Sequence, residues 1–154
     1  MKRIGMVVAV EIDAVLKRYG EPISDEVVCG FQLLTYKSGE NKIYVMNCGM
    51  GEIAAAAGTQ LLISVYKVDV MINFGVVGGL TDEMALAKTC IVEKVVHYGF
   101  DGSQGLHHPQ GQYPGTDSLY FEADKNLIGI AKKLYPDLKT VTCASADNCC
   151  RSKR

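Results

Sequence analysis

A short apolar run that ends in a glycine-rich turn lies near the middle of the chain. The run is Val70–Ile72, and the turn after it contains Gly75, Gly78 and Gly79. An apolar run of this length between turn signals is typical of a strand buried on both faces. Glycines after such a strand can adopt positive φ and let the backbone approach a ligand closely. We therefore predict a ligand-binding crevice at the carboxyl end of this strand.

Strands alternate with helices on both sides of this run. Ile4–Val10 is rich in β-branched residues and suits a central strand, and the residues after it have helical spacing as far as Tyr19. Loop 38–41 separates two strands and predicts an antiparallel hairpin. A second helix is predicted from residue 52, and further elements are predicted at 88–98 (strand), 122–134 (helix) and 140–144 (strand). This alternation predicts a three-layer α/β/α fold with a central twisted mixed sheet, and we assign residues 1–154 to a single domain.

Charge and cysteine content limit the class of partner. The 154 residues carry a net charge of −1 with a pI near 6.3, which gives no electrostatic basis for binding nucleic acid or an anionic membrane. No apolar run reaches the length of a membrane-spanning helix. Six cysteines without a Cys-x-x-Cys pair predict reduced thiols in a cytoplasmic protein. We therefore expect a small-molecule substrate.

Two carboxylates, Glu11 and Asp13, follow the first strand at the edge where open α/β sheets bind ligands. A carboxylate near a helix N-terminus can deprotonate or orient a water molecule. Acidic residues are also favoured in the first turn of any helix, so position alone does not establish a catalytic role. Because the two side chains lie on different faces of a helix, we expect at most one of them to face the crevice.

Other motifs give weaker signals. Segment 49–51 and turn 75–79 could each hold a phosphate at a helix N-terminus, but neither matches a dinucleotide fingerprint or a P-loop. His97, His107 and His108 have no carboxylate or cysteine at a metal-ligand spacing beside them. We predict no metal and no cofactor.

Four segments occur in the order and spacing of the purine nucleoside phosphorylase and uridine phosphorylase superfamily. They are residues 5–13, 48–56, 69–80 and 144–147. The chain most resembles the 5′-methylthioadenosine/S-adenosylhomocysteine nucleosidase branch, in which these segments read close to AMEEE, SGIGKVNAA, INTGSAGGL and ASGD.

This resemblance implies hydrolysis of a purine N-glycosidic bond through an oxocarbenium-like transition state, and a role in methionine salvage. Asp13 occupies the position of the carboxylate that activates the attacking water. The implied substrate-binding residues are Val10 and Met50 near the ribose and its 5′ group, Val76, Val77 and Gly78 in the glycine turn, and Cys143, whose backbone meets the purine. The resemblance also implies a homodimer in which segment 97–114 of one subunit closes the pocket of the other.

Some positions depart from the family pattern. Asn73 and Val76 stand where the phosphorylases have an arginine and a serine that bind phosphate, so hydrolysis is favoured over phosphorolysis. Asp13 is one methylene shorter than the glutamate of the family. The tail 148–154 matches no element, and no ribose-binding Met-Glu segment or acid for the leaving purine follows Asp147. We therefore expect an incomplete, C-terminally truncated domain and a poor catalyst, because general-acid assistance contributes about 10² to 10⁴ in rate.

Three alternatives stay open. The first is a nucleoside phosphorylase of the same fold, which phosphate-dependent turnover would indicate. The second is a non-catalytic module that binds purine or dimerises, which adenine binding without turnover would indicate. The third is a dinucleotide-binding domain, which the incomplete glycine fingerprint disfavours.

Overall fold

The structure is a computed structural model that describes residues 1–84, 89–105 and 107–147. The chain divides into two compact units, Met1–Gly78 and Gly79–Arg154. The tail 148–154 lies outside the described residues. Among the residues that are described, no helix has the length and apolar character needed to cross a membrane.

The first unit is a five-stranded mixed sheet with two helices. Its elements are β1 Arg3–Val8, α1 Ile12–Tyr19, β2 Ser24–Val28, β3 Phe31–Ser38, β4 Asn41–Asn47, α2 Glu52–Ser64 and β5 Val70–Asn73. The strand order is β2-β3-β4-β1-β5. Pairing is antiparallel from β2 to β4 and parallel among β4, β1 and β5. The hairpin predicted around loop 38–41 is therefore present as β3 and β4.

The two helices bury opposite faces of this sheet. Successive side chains of a strand point to opposite faces, and Val7 and Val8 of β1 accordingly belong to different clusters. The cluster under α1 contains Met6, Val8, Val15, Leu34, Tyr36, Ile43 and Val45. The cluster under α2 contains Val7, Leu33, Met46, Cys48 and Leu62. The first unit thus has the predicted α/β/α layering.

Gly58 lets α2 lie close to the sheet. A Cβ at this position would lie 2.2 Å from the Sγ of Cys48 and 3.2 Å from the Cγ of Met46. Glycine inside a helix costs about 1 kcal/mol relative to alanine. Close packing of α2 against the end of β4 requires glycine here in spite of that cost.

The second unit has its own small sheet. Its elements are a 3₁₀ turn Asp82–Met84, β6 Cys90–His97, β7 Phe121–Glu122, α3 Lys125–Leu134 and β8 Lys139–Ser145. The strand order is β7-β6-β8, with β6 antiparallel to β7 and parallel to β8. The side chain of Asp124 accepts hydrogen bonds from the amides of Asn126 and Leu127, which fixes the start of α3.

Three features differ from the sequence-based expectations. The strands predicted at 88–98 and 140–144 form this separate three-stranded sheet rather than joining a single central one. The helix predicted from Glu122 begins at Lys125, because Glu122 belongs to β7 and Asp124 caps the helix. Strand β2 was not predicted, since its exposed central residues DEV show no apolar alternation.

Segment 99–116 contains turns and no helix or strand in its described residues, as predicted. The ring of Tyr113 stacks on that of Phe100, with centroids 4.3 Å apart, and meets Phe121 edge-on at 5.8 Å. Its hydroxyl lies 2.6 Å from Nδ1 of His97. An aromatic cluster therefore holds the long loop against β6.

Candidate active site

The carboxyl ends of β1, β4 and β5 lie side by side. The register pairs Val8 with Asn47 and Val7 with Asn73. The segments that leave these strands, 9–11, 48–51 and 74–78, therefore emerge at one edge of the sheet. We call this the carboxyl edge, and it is the place where open α/β sheets bind ligands.

The carboxylate of Glu11 joins two of these segments. Its Oε2 accepts hydrogen bonds from the amides of Ala9 at 3.2 Å and Val10 at 3.0 Å. Its Oε1 accepts a hydrogen bond from the amide of Val76 at 2.9 Å, although the two residues are 65 positions apart. The end of β1 and the glycine turn after β5 are thus connected by one ionised side chain. Charged acceptors form stronger hydrogen bonds than neutral ones.

The glycine turn lies close to the carboxylate of Glu11. The backbone φ of Gly75 and Gly78 is not in the left-handed region, so the turn does not use the freedom of glycine to adopt positive φ at these two positions. A Cβ at Gly75 would lie 3.2 Å from Oε1 of Glu11. A side chain at this position would crowd the Glu11 carboxylate, which would have to move by a few tenths of an ångström.

The environment of Glu11 favours its ionised form. Burial raises the pKa of this carboxyl, but the amides of Val76, Val10, Glu11 and Ala9 lower it, and the net effect is a pKa below the ordinary value of 4.5. A carboxylate with several amide donors is stabilised in its charged state. Glu11 is therefore an anion at neutral pH.

This pKa shift predicts a pH-dependent contribution to stability. A lowered pKa in the folded state means that the contribution is present above pH 4.5 and is lost as the pH falls through the folded-state pKa. We expect Glu11→Gln to lower the free energy of unfolding at pH 7, and we expect the difference from the wild type to shrink in acid. Urea unfolding of both proteins across this pH range measures it. A difference that stays constant down to the lowest pH would contradict the prediction.

Asp13 lies in the first turn of α1 and is exposed. Within the part of the chain that the structure describes, its carboxylate takes part in no hydrogen bond or ion pair, in contrast to that of Glu11. The structure thus distinguishes the two acidic residues: Glu11 is bound to the backbone, while Asp13 is accessible to a water molecule or a substrate. Sequence reasoning had named both residues but had missed the structural role of Glu11. No local sequence signal could have indicated it, because the contact with Val76 depends on the pairing of β1 with β5.

Apolar side chains of the predicted substrate site project into solvent at the carboxyl edge. Met50 and Val76 are each 80% exposed, and Val10 and Val77 are also mostly exposed. Gly78 has open space around the position of a Cβ. Exposed apolar groups gathered in one place are typical of a ligand-binding or interaction surface.

The segment between β4 and α2 requires glycine at two positions. Gly49 and Gly51 have φ values of 76° and 104°, a region that residues with a side chain seldom adopt. They shape the turn that presents Met50. This backbone conformation explains why glycine occupies both positions.

Cys143 belongs to β8 of the second unit, where it pairs with Val95 of β6. Burial, with a smaller contribution from Cys90, raises the pKa of the Cys143 thiol. The thiol is therefore neutral at pH 7 and unsuited to nucleophilic attack. Its predicted contact with a purine through the backbone stays a prediction.

The described residues contain free cysteine thiols and no group of side chains that could hold a metal ion. Cys29, Cys48, Cys90 and Cys143 are unpaired. In residues 1–84, 89–105 and 107–147, no three histidine, cysteine or acidic side chains are grouped so that they could hold a metal ion. Cys149 and Cys150 lie outside the described residues.

Two nucleosidases are similar to this chain in amino-acid sequence. The 5′-methylthioadenosine/S-adenosylhomocysteine nucleosidase of Maridesulfovibrio salexigens is 31% identical over an alignment of 138 positions, which covers 86% of this chain and 57% of that protein. The nucleosidase of the same name from Hydrogenovibrio crunogenus is 31% identical over 84% of this chain and 55% of its own length. The chain thus spans little more than half the length of these relatives.

Solved structures agree with the fold. The Helicobacter pylori MTAN-D198N mutant, solved with 5′-methylthioadenosine in its active site, superposes with a TM-score of 0.91 at 23% identity, over 99% of this chain and 68% of that one. Futalosine hydrolase of Helicobacter pylori gives the same TM-score at 23% identity, with 99% and 67% covered. The predicted nucleosidase-like α/β fold is therefore confirmed. A family model described as "Phosphorylase superfamily" matches residues 3–154.

Proposed function

Because the chain belongs to the phosphorylase superfamily, we propose that it acts as a nucleosidase that hydrolyses the N-glycosidic bond of purine nucleosides. The expected substrates are 5′-methylthioadenosine and S-adenosylhomocysteine. The main support is the 31% identity, over 86% of this chain, to the nucleosidase of Maridesulfovibrio salexigens. This relationship agrees with the resemblance inferred from the four sequence motifs.

The carboxyl edge and the first turn of α1 provide groups that suit this reaction. Asp13 carries an accessible carboxylate, which can accept a proton from water as the water oxygen bonds to C1′ of the sugar. The C1′–N bond breaks, and the purine leaves with the electron pair. Asp13 takes up the proton that the attacking water releases, and the leaving purine takes a proton from solvent, so the step balances. Val10 and Met50 are exposed apolar side chains that could contact the 5′ substituent, and we assign the turn from Val76 to Gly78 to the sugar.

The side chains of the glycine turn support water as the acceptor. Val76 cannot donate a side-chain hydrogen bond, and Asn73 carries no charge. A phosphate dianion would lack the bidentate arginine partner that it normally requires. We therefore favour hydrolysis over phosphorolysis.

We further propose that the protein is a cytoplasmic homodimer that takes part in methionine salvage. Four free cysteines in the described residues suit a reducing compartment. The aromatic cluster of Phe100, Tyr113 and Phe121 anchors described residues near both ends of segment 97–114, which suits a loop that forms an interface. Sedimentation of the purified chain measures the oligomeric state.

The function is tested by incubating the purified chain with methylthioadenosine, S-adenosylhomocysteine, adenosine, inosine and futalosine, each with and without phosphate. Futalosine is included because a futalosine hydrolase shares the fold. We expect phosphate-independent release of adenine from the first two substrates, quantified by chromatography. Release that requires phosphate would indicate a phosphorylase. Saturable adenine binding by calorimetry without any release would indicate a non-catalytic module.

A further inference from the structure

Backbone amides from two separate segments converge on one anion at the carboxyl edge. The amides of Ala9 and Val10 come from the end of β1, and the amide of Val76 comes from the turn after β5. Converging amides of this kind form the concave sites that bind phosphate and other oxyanions in many proteins. In this protein the anion is the carboxylate of Glu11.

The carboxylate uses both of its oxygens in this arrangement, one for each segment. A second oxyanion at the same place would meet amides that are already engaged. It would also meet a negative charge within a few ångströms, which opposes its binding. Glu11 therefore occupies the backbone amide donors of this site. This effect does not depend on the side chains of Asn73 and Val76.

Gly75 shows how closely the carboxylate lies against the turn. A Cβ at this position would lie 3.2 Å from Oε1 and 3.4 Å from Cδ of Glu11. Any larger residue would compete with the carboxylate for space. The turn is thus shaped around the Glu11 side chain.

We infer that Glu11 is a specificity-determining residue, whose carboxylate fills the oxyanion position of the glycine turn and so reserves the site for water over phosphate. This inference rests on the proposed nucleosidase function. In hydrolysis, the water oxygen bonds to C1′ while the C1′–N bond breaks, and the products are the free base and the free sugar. In phosphorolysis, a phosphate oxygen forms that bond and the product is a sugar 1-phosphate. Glu11 opposes the second course by excluding the phosphate.

The test measures binding of inorganic phosphate by calorimetry to the wild-type chain, Glu11→Ala, Glu11→Gln and Glu40→Gln at pH 7. Glu40 is exposed in the loop between β3 and β4, at the opposite end of the sheet, so its variant removes one negative charge without touching the turn. Asp13 stays in place in every protein, so the comparison isolates the charge at position 11. Circular dichroism shows whether each variant is folded. If Glu11→Ala does not fold, Glu11→Gln tests the charge alone, because its side chain still occupies the turn; we expect this variant to bind phosphate more tightly than the wild type.

We expect Glu11→Ala to bind phosphate at least about tenfold more tightly than the wild type, and Glu40→Gln to match the wild type. With methylthioadenosine and phosphate, we also expect Glu11→Ala to form a sugar 1-phosphate that the wild type does not form. Equal phosphate binding by the wild type and the folded Glu11 variants, or none by any of them, would overturn the inference. An absence of base release by the wild type would count against the proposed hydrolysis alone, because the phosphate titration judges Glu11 without any turnover.

Discussion

Asp13→Asn is expected to reduce the release of adenine from methylthioadenosine by about 10² to 10⁴, the usual contribution of a general base. The asparagine amide keeps the size of the side chain but cannot accept the proton that the attacking water gives up. Asp13 is exposed in the first turn of α1, so the substitution leaves the core unchanged. Loss of a carboxylate near a helix N-terminus costs only about 0.3–1 kcal/mol in stability. The rate is measured by chromatography of the free base at saturating substrate.

Two further variants complete this experiment. Asp13→Glu restores the carboxylate with one more methylene, and we expect it to retain far more activity than Asp13→Asn. Glu40→Gln removes a carboxylate at the other end of the sheet and should leave the rate unchanged. Comparable rates for Asp13→Asn and the wild type would assign the water-activating role to another group.

Leu62→Ala is expected to lower the free energy of unfolding by about 2–5 kcal/mol, the range for removing a buried leucine side chain. Leu62 is fully buried, and it packs with Val7, Leu33 and Met46 under α2. The substitution removes apolar contacts and leaves a cavity that neighbouring strands of the sheet cannot close. Urea denaturation measures the loss as a lower midpoint at an unchanged slope.

Ile63→Ala is the matched control, because Ile63 lies next to Leu62 on α2 but is 46% exposed. We expect it to cost less than about 1 kcal/mol, since little buried area is lost and alanine has the higher helix propensity. A loss of the same size in both variants would mean that α2 does not bury Leu62 against the sheet. A change of slope in Leu62→Ala would indicate a change in the denatured or native ensemble instead.

The amino-acid sequence was sufficient for the local elements with strong periodic patterns. The β-branched run at residues 4–10, the hairpin around loop 38–41 and the helix that begins at residue 52 all occur in the structure within a few residues of their predicted bounds. The family also followed from the sequence, because four motifs occur in a fixed order and spacing, and the family model confirms it. Strand β2 was not predicted, because its residues give only a weak strand pattern. It carries exposed polar residues at the edge of the sheet, and it forms because β3 offers an unpaired edge.

The sequence by itself determined that an acidic pair follows the first strand and that a glycine turn follows the strand at residues 70–73. Only the tertiary structure decided how the two meet. The parallel pairing of β1 with β5 brings Val76 to Glu11 across 65 residues of chain, so one carboxylate of the pair is held by amides while the other stays accessible. No local pattern encodes this choice, because it depends on the register between two strands. The close approach of the Glu11 carboxylate to Gly75 has the same origin, since it also depends on the pairing of β1 with β5.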